Sequence, residues 1–172
     1  MVLTLGHSVR PQEDTIALLR ENGVASLADV RALPRSRRNP QYNSEALARA
    51  LQEAGIGYRH LPALGGMRKP KADSVNQGLA DGFRGFADYM QTPEFEAALS
   101  ELAGLAKRQQ LAIMCAEAKP AECHRSLISD ALSARGLEVR HIIGSGLVKP
   151  HTYTRSAEIH GMRVTYPFSL EA

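Results

Sequence analysis

Along most of the chain, short apolar runs alternate with segments whose apolar residues recur at helical spacing. Residues 2–5 form the first run. Pro11 then opens a helical stripe through Ile16, Leu19 and Val24, with Glu13 and Asp14 in its first turn and Asn22-Gly23 as its stop. A second run at 24–33 is closed by Pro34, and a helix follows from Ser44, a suitable N-cap, through Leu47 and Leu51 to Gly55. Residues 56–64 read as a third strand. The irregular segment 67–82 reads as a surface loop with one short helical turn, long enough to suggest function or mobility. Phe83, Phe86, Tyr89 and Met90 resume helical spacing, and Thr92-Pro93 starts another helix that turns Phe95, Leu99, Leu102 and Leu105 inward. A strand at 111–114, a helix from Cys123 to Gly136 and a strand at 137–143 complete the series.

Such alternation predicts parallel strands joined by right-handed helical crossovers. At 172 residues the chain is too short for an eight-stranded barrel. The expected fold is therefore α/β, a three-layer sandwich with an open, mostly parallel sheet flanked by helices. Residues 1–172 are expected to form a single domain, with a peripheral tail at 144–172 that holds one short helix and an edge strand. No apolar run approaches the roughly 18 residues of a membrane span, so no membrane partner is expected. The first residues lack the basic and long apolar regions of a signal peptide. With only two cysteines, free thiols in a reducing, cytoplasmic setting are expected.

In open parallel sheets, ligand sites form beyond the carboxyl ends of the strands. That rule gathers the polar residues that follow each apolar run. His7 and Ser8 follow the first, Asp29 and Arg31 the second, Gly65 and Gly66 the third, and Cys115 and Glu117 the fourth. Cys123, His124 and Arg125 then open the next helix. Both cysteines thus lie in one strand-to-helix turn, eight positions apart, beside a carboxylate, an imidazole and a guanidinium. The free amides and positive end of a helix favour an anion or a thiolate, which would make Cys123, and Cys115 facing the same field, easier to ionise. Arg31 and Arg125 offer planar, bidentate contacts to phosphate or carboxylate. The candidate catalytic residues are therefore Cys115, Glu117, Cys123 and His124. The candidate substrate-binding residues are His7, Ser8, Asp29, Arg31, Gly65, Gly66 and Arg125.

Several of these residues also have a purely structural reading. His7 can be a hydrogen-bonded turn residue, Asp29 can pair with Arg31 or Arg125, and Gly65-Gly66 can simply form a turn. The basic runs at 35–38 and 68–71 can be solvated loops, although each follows a strand end and so borders the site.

Taken together, Gly6-His7-Ser8, Asp29-Val30-Arg31 with Pro34, Leu64-Gly65-Gly66, and Cys115-x-Glu117 before Cys123-His124-Arg125 resemble the domain-of-unknown-function 488 family. The resemblance runs over residues 2–143, and the tail carries none of the family's motifs. It implies a small bacterial or archaeal α/β protein and brings no established reaction.

The expected function is a cysteine-centred, anion-binding active site at the carboxyl edge of the sheet. Its substrate would be phosphate-bearing, nucleotide-like or a nucleic acid, and the chain would act as a cysteine-dependent hydrolase or transferase. Cys115 would be the nucleophile, with Glu117 or His124 moving protons. Arg125 lies ten residues after Cys115, which does not match the compact loop of a cysteine phosphatase. One alternative is a nucleic-acid-binding module without catalysis, using the two basic loops of a chain with net charge +3. Another is a thiol redox protein that pairs Cys115 with Cys123. A metal held by Cys115, Cys123, His124 and His7 fits least, because adjacent Cys123 and His124 cannot easily aim at one ion. No metal and no cofactor is expected.

Overall fold

A computed structural model describes residues 1–170. β1 (Val2–Gly6) leads to α1 (Gln12–Glu21) and β2 (Ser26–Asp29), and α2 (Ser44–Glu53) leads to β3 (Gly57–His60). α3 (Asp81–Tyr89) and α4 (Pro93–Arg108) precede β4 (Leu111–Cys115), and α5 (Arg125–Ala134) precedes β5 (Val139–Gly144). β6 (Leu147–Pro150) and a small hairpin of β7 (Glu158–His160) and β8 (Arg163–Thr165) follow. The main sheet has the order β3-β2-β4-β1-β5-β6 and is parallel except for β6, which runs antiparallel to β5 at one edge. This is the α/β sandwich that the alternating pattern predicts.

Successive strand residues point to opposite faces, so each central strand feeds two cores. Val2, Leu111 and Ile113 pack with Leu99, Leu102, Leu127 and Ile128 of α4 and α5. Leu3, Leu5, Ala112 and Met114 pack with Leu19, Leu47 and Leu51 of α1 and α2. Adjacent strands β1 and β4 therefore send their following helices, α1 and α5, to opposite faces. A crevice opens at such a divergence, beyond the carboxyl ends of the two strands.

Several local expectations are refined. Thr92 caps α4 as the sequence suggests, its Oγ1 accepting the Phe95 N–H at 3.3 Å, with Pro93 at the first helical position. Ser44, by contrast, is the first residue inside α2. Asn43 occupies the cap position, and its side chain accepts the Ser36 N–H at 2.7 Å, tying the helix to the basic loop. α5 begins at Arg125 rather than Cys123, because Pro120–Glu122 forms a 3-10 turn and Cys123 is extended.

The loop at 67–80 contains turns and no helix. It is pinned by the buried Asp88 carboxylate, which accepts the Lys71 N–H, the Ser74 hydroxyl and the Asn76 amide at 2.8, 2.6 and 2.7 Å. No helix forms within 144–170 either. Instead β6 extends the sheet, and Tyr166 is fully buried with its hydroxyl donating to Asp130 at 2.8 Å. The tail thus contributes to the core rather than lying at the periphery.

Candidate functional site

A cleft of about 650 Å³ opens over the carboxyl ends of β1, β2 and β4. It brings together His7, Ser8, Arg31, Gly66, Cys115, Glu117, Cys123 and His124, with Arg35 and Arg38 from the basic loop. Asp29, Gly65 and Arg125 do not line it. The pairing of β1 and β4 continues into the cleft, where the His7 N–H donates to the Cys115 carbonyl at 2.9 Å and the Ser8 N–H to the Ala116 carbonyl at 2.8 Å. Ser8 and Met67, with φ of 50° and 61°, are the non-glycine residues in left-handed conformation among the described residues. Both line this cleft. Backbone strain of this kind concentrates at sites where the chain must hold a special geometry.

Asp29 is fully buried and its carboxylate is committed to the protein. It receives Arg31 Nε at 2.9 Å and Nη2 at 2.7 Å, the Arg31 N–H at 3.1 Å, and the Tyr58 hydroxyl at 2.6 Å. Arg31 Nη2 also donates to the Tyr42 carbonyl at 2.7 Å, and Nη1 lies 3.4 Å from His7 Nε2. These contacts leave one of the five guanidinium hydrogens without a partner among the described residues. His7 is fixed in turn: Nδ1–H donates to the Ser8 carbonyl at 2.8 Å, and the ring stacks on Tyr42 with centroids 4.1 Å apart. Burial lowers the His7 pKa, and the Arg31 charge acts in the same direction, so Nε2 carries a lone pair. His7 is therefore suited to orienting Arg31.

Gly65 joins two strand-end loops. A Cβ there would lie 2.6 Å from Ala32 Cα, so the close approach requires glycine. Gly66 faces the cleft opposite the His124 ring.

Cys115 and Cys123 are both buried and free, and they are close enough to shift each other's ionisation. The Cys123 S–H lowers the pKa of Cys115; burial opposes the shift and the Arg125 charge supports it. The same interaction, with burial, pushes Cys123 up. Cys115 is thus the more readily ionised of the two thiols, and as a thiol it donates to the Glu117 carbonyl at 3.8 Å. Cys123 Sγ also accepts the Arg125 backbone N–H at 3.4 Å. His124 donates Nε2–H to the Val30 carbonyl at 2.9 Å, which leaves Nδ1 as an acceptor 3.6 Å from Cys123 Sγ. Burial lowers the His124 pKa and keeps Nδ1 unprotonated. Glu117 is exposed at the cleft.

Arg125 is only 1% exposed. Its Nη2 donates to the Ala118 carbonyl at 3.3 Å, while Nε and Nη1 have no partner among the described residues. Among the described residues no carboxylate lies within ion-pair distance of it.

Several contributors were not singled out from the sequence. Tyr42 supports the His7 ring and, through its carbonyl, Arg31. Val9, Leu33 and Met67 line the cleft while 78%, 68% and 82% exposed, giving it an apolar rim. The available signal for these three was an apolar residue set in an otherwise polar strand-end loop. Among the described residues, no group of three or more His, Cys, Asp or Glu side chains converges as metal ligands do. No helix among them is long and apolar enough to cross a membrane.

Residues 11–132 match the model of a family described as Domain of unknown function DUF488. The matched span holds Asp29, Arg31, the glycine pair and the whole turn from Cys115 to Arg125, while His7 and Ser8 precede it. No curated protein and no solved structure matches the chain.

Proposed function

We propose that this chain, which belongs to the DUF488 family, is a cysteine-dependent hydrolase or transferase acting on a phosphate-bearing, nucleotide-like or nucleic-acid substrate. The observation that carries the reading is Arg125, a buried guanidinium with two unpartnered nitrogens and no carboxylate beside it. An uncompensated buried charge is strongly unfavourable. The neighbouring group able to balance it is Cys115 as thiolate, whose ionisation the same charge favours.

The remaining cleft residues fit an anionic substrate. Arg35 and Arg38 are exposed at its wall, and Arg31 is held in place by Asp29, His7 and Tyr42 with one N–H to spare. In the reaction, the Cys115 lone pair forms a bond to the electrophilic phosphorus or carbon. The bond to the leaving oxygen breaks with its electron pair, and that oxygen takes a proton from water at the open mouth. Water or a second acceptor, its proton drawn off by the Glu117 carboxylate, then displaces the sulfur and restores the thiolate. Cys123 keeps its proton throughout and steadies the thiolate between turnovers.

The test is hydrolysis of chromogenic phosphate esters and short oligonucleotides. Cys115→Ser should abolish turnover while leaving substrate affinity measurable, and unchanged turnover in that variant rejects the mechanism. Saturable oligonucleotide binding by the wild type with no turnover would instead favour a non-catalytic nucleic-acid module. A thiol redox role is the second reading, favoured by the placing of both free thiols at one cleft and by their coupled ionisation.

A further inference from the structure

The loop that walls the cleft also walls a second cavity, of about 560 Å³. Ala116 and Glu117 face the cleft, whereas Lys119, Pro120 and Ala121 face this second space, together with residues of β5, β6 and the segment 151–155. Three cations line it, Lys119, Lys149 and Arg155, and no Asp or Glu does. Lys119 lies 3.5 Å from Glu122, an exposed pair of little strength. Lys149 and Arg155 have no ion-pair partner among the described residues. The Asp130 carboxylate behind the wall is taken up by His151, Thr154 and Tyr166, so the lining itself carries an excess of positive charge, which attracts anions.

Its walls also offer apolar surface. Ile143, Pro120 and Pro150 line the cavity, and Tyr153 stands at it 42% exposed, its ring edge-on to His151 with centroids 6.3 Å apart. An exposed aromatic ring close in sequence to unpaired cations suits a ligand that has both a flat face and an anionic group.

A buried polar chain holds this wall rigid. Thr4 Oγ1 lies 2.6 Å from His141 Nδ1, His141 Nε2 lies 2.9 Å from His151 Nδ1, and His151 Nε2 lies 2.7 Å from Asp130 Oδ1. These atoms form one continuous line of hydrogen bonds from the Thr4 hydroxyl through the two imidazoles to the carboxylate. Asp130 also accepts the Thr154 N–H at 3.1 Å and the Tyr166 hydroxyl at 2.8 Å. The chain thus pins the segment that carries Tyr153 and Arg155 to β1, β5 and α5. Every imidazole nitrogen in it is engaged within the protein, so ligand contacts fall to Lys149, Tyr153 and Arg155. A site whose supporting shell is locked in this way is preorganised for binding.

We propose that this cavity is a second ligand site, for a small phosphate-bearing molecule with a flat aromatic body, the chemical class of a nucleotide. Its volume lies within the range of small-molecule pockets, roughly 300–1,000 Å³. The assignment is independent of any chemistry at Cys115.

Titration calorimetry of the full chain tests it, using each of the four common nucleoside monophosphates, with inorganic phosphate and adenosine as separate arms. At least one nucleotide should bind more tightly than either fragment. Replacing Lys149 and Arg155 together by alanine should weaken that nucleotide about tenfold or more. Tyr153→Ala should weaken the nucleotide and leave inorganic phosphate unchanged. Arg35→Ala with Arg38→Ala, which acts on binding in the cleft, should leave the binding component that Lys149 and Arg155 govern within about twofold. All of these side chains are exposed, so the fold is expected to survive each change. Absence of saturable binding by all four nucleotides overturns the proposal. So does binding that is lost with Arg35 and Arg38 but kept without Lys149 and Arg155. Inorganic phosphate binding as tightly as any nucleotide overturns the assignment of an aromatic body.

Discussion

A Cβ on Gly6 would lie 1.7 Å from the carbonyl oxygen of Glu117 and 2.5 Å from its carbonyl carbon. The end of β1 and the loop after Cys115 therefore touch backbone to backbone, with no space for a side chain. Because the obstacle is main chain, a rotamer change cannot relieve it. Gly6→Ala must displace the 115–118 loop and strain the bonds from the His7 and Ser8 N–H groups to the Cys115 and Ala116 carbonyls. We expect a loss of about 3 kcal/mol in urea unfolding. Gly104→Ala is the control, since a Cβ on that α4 glycine meets nothing within 4 Å. It should gain about 0.5–1 kcal/mol through helix propensity. Equal midpoints for the two variants would show that the contact is not rigid.

Arg125 separates stability from reactivity. Removing Arg125 relieves the cost of burying a guanidinium with two unpartnered nitrogens, and Cys115 can keep its proton once the charge is gone. Arg125→Met should therefore keep its unfolding midpoint. It should nevertheless raise the pH midpoint for iodoacetamide alkylation of Cys115, since the favourable charge is gone. Cys123→Ala should raise that midpoint further, because the Cys123 S–H is the largest influence lowering the Cys115 pKa. Alkylation profiles that superimpose on the wild type would remove Arg125 as the counter-ion.

Local patterning made the strand-helix alternation and the gathering of His7, Arg31, Cys115 and His124 legible, because strand ends in a parallel sheet share one edge. Contacts between loops remote in sequence were not legible. Tyr42 follows a basic loop with nothing local to mark it, yet its ring stacks on His7, 35 positions earlier. Asp130 sits among Leu127, Ile128, Ala131 and Leu132 and resembles an ordinary solvent-facing helix position. It is fully buried only because the tail returns to cover α5 with Tyr166 and His151. The weak patterning of that tail hid its place in the core. Asp29 and Arg31 offered a pair or a site, and only the four acceptor contacts of one carboxylate show how completely Asp29 is used.

The buried histidines predict an acid-sensitive fold. Burial lowers the pKa of His7 and His124 and pushes His141 down to about 4, with the His151 and Arg125 charges adding to the shift at His141. In the unfolded chain each titrates near about 6.5. As pH falls below that value the unfolded state takes up protons that the folded state refuses, so stability declines. The contribution is complete above about pH 7 and shrinks until about pH 4, with His141 responsible for on the order of 2–3 kcal/mol. Asp88 adds a loss at lower pH. Burial acts to raise its pKa, but the hydrogen bonds from Ser74, Lys71 and Asn76 outweigh it and hold the carboxyl low. Its contribution is present above about pH 4 and disappears as the pH falls further. Urea midpoints that do not change between about pH 7.5 and about pH 4.5 would contradict this account.

The placing of Cys115 and Cys123 at one cleft predicts that peroxide silences the site reversibly. As the thiolate, Cys115 attacks hydrogen peroxide, forming a sulfenic acid and releasing hydroxide. The adjacent Cys123 sulfur then displaces that oxygen, the S–S bond forms, and the oxygen leaves as water with the thiol proton. The net change is two thiols and one peroxide giving one disulfide and two waters, so intact mass should fall by two hydrogens. In Cys123→Ser the reaction should stop at a Cys115 sulfenic acid that dimedone traps, whereas Cys115→Ser should be inert because the remaining thiol is pushed up by burial. Any Cys115-dependent turnover should vanish with disulfide formation and return with dithiothreitol. A wild-type chain whose mass is unchanged by peroxide, with both thiols still open to alkylation after unfolding, would exclude the redox reading and leave the nucleophile reading intact.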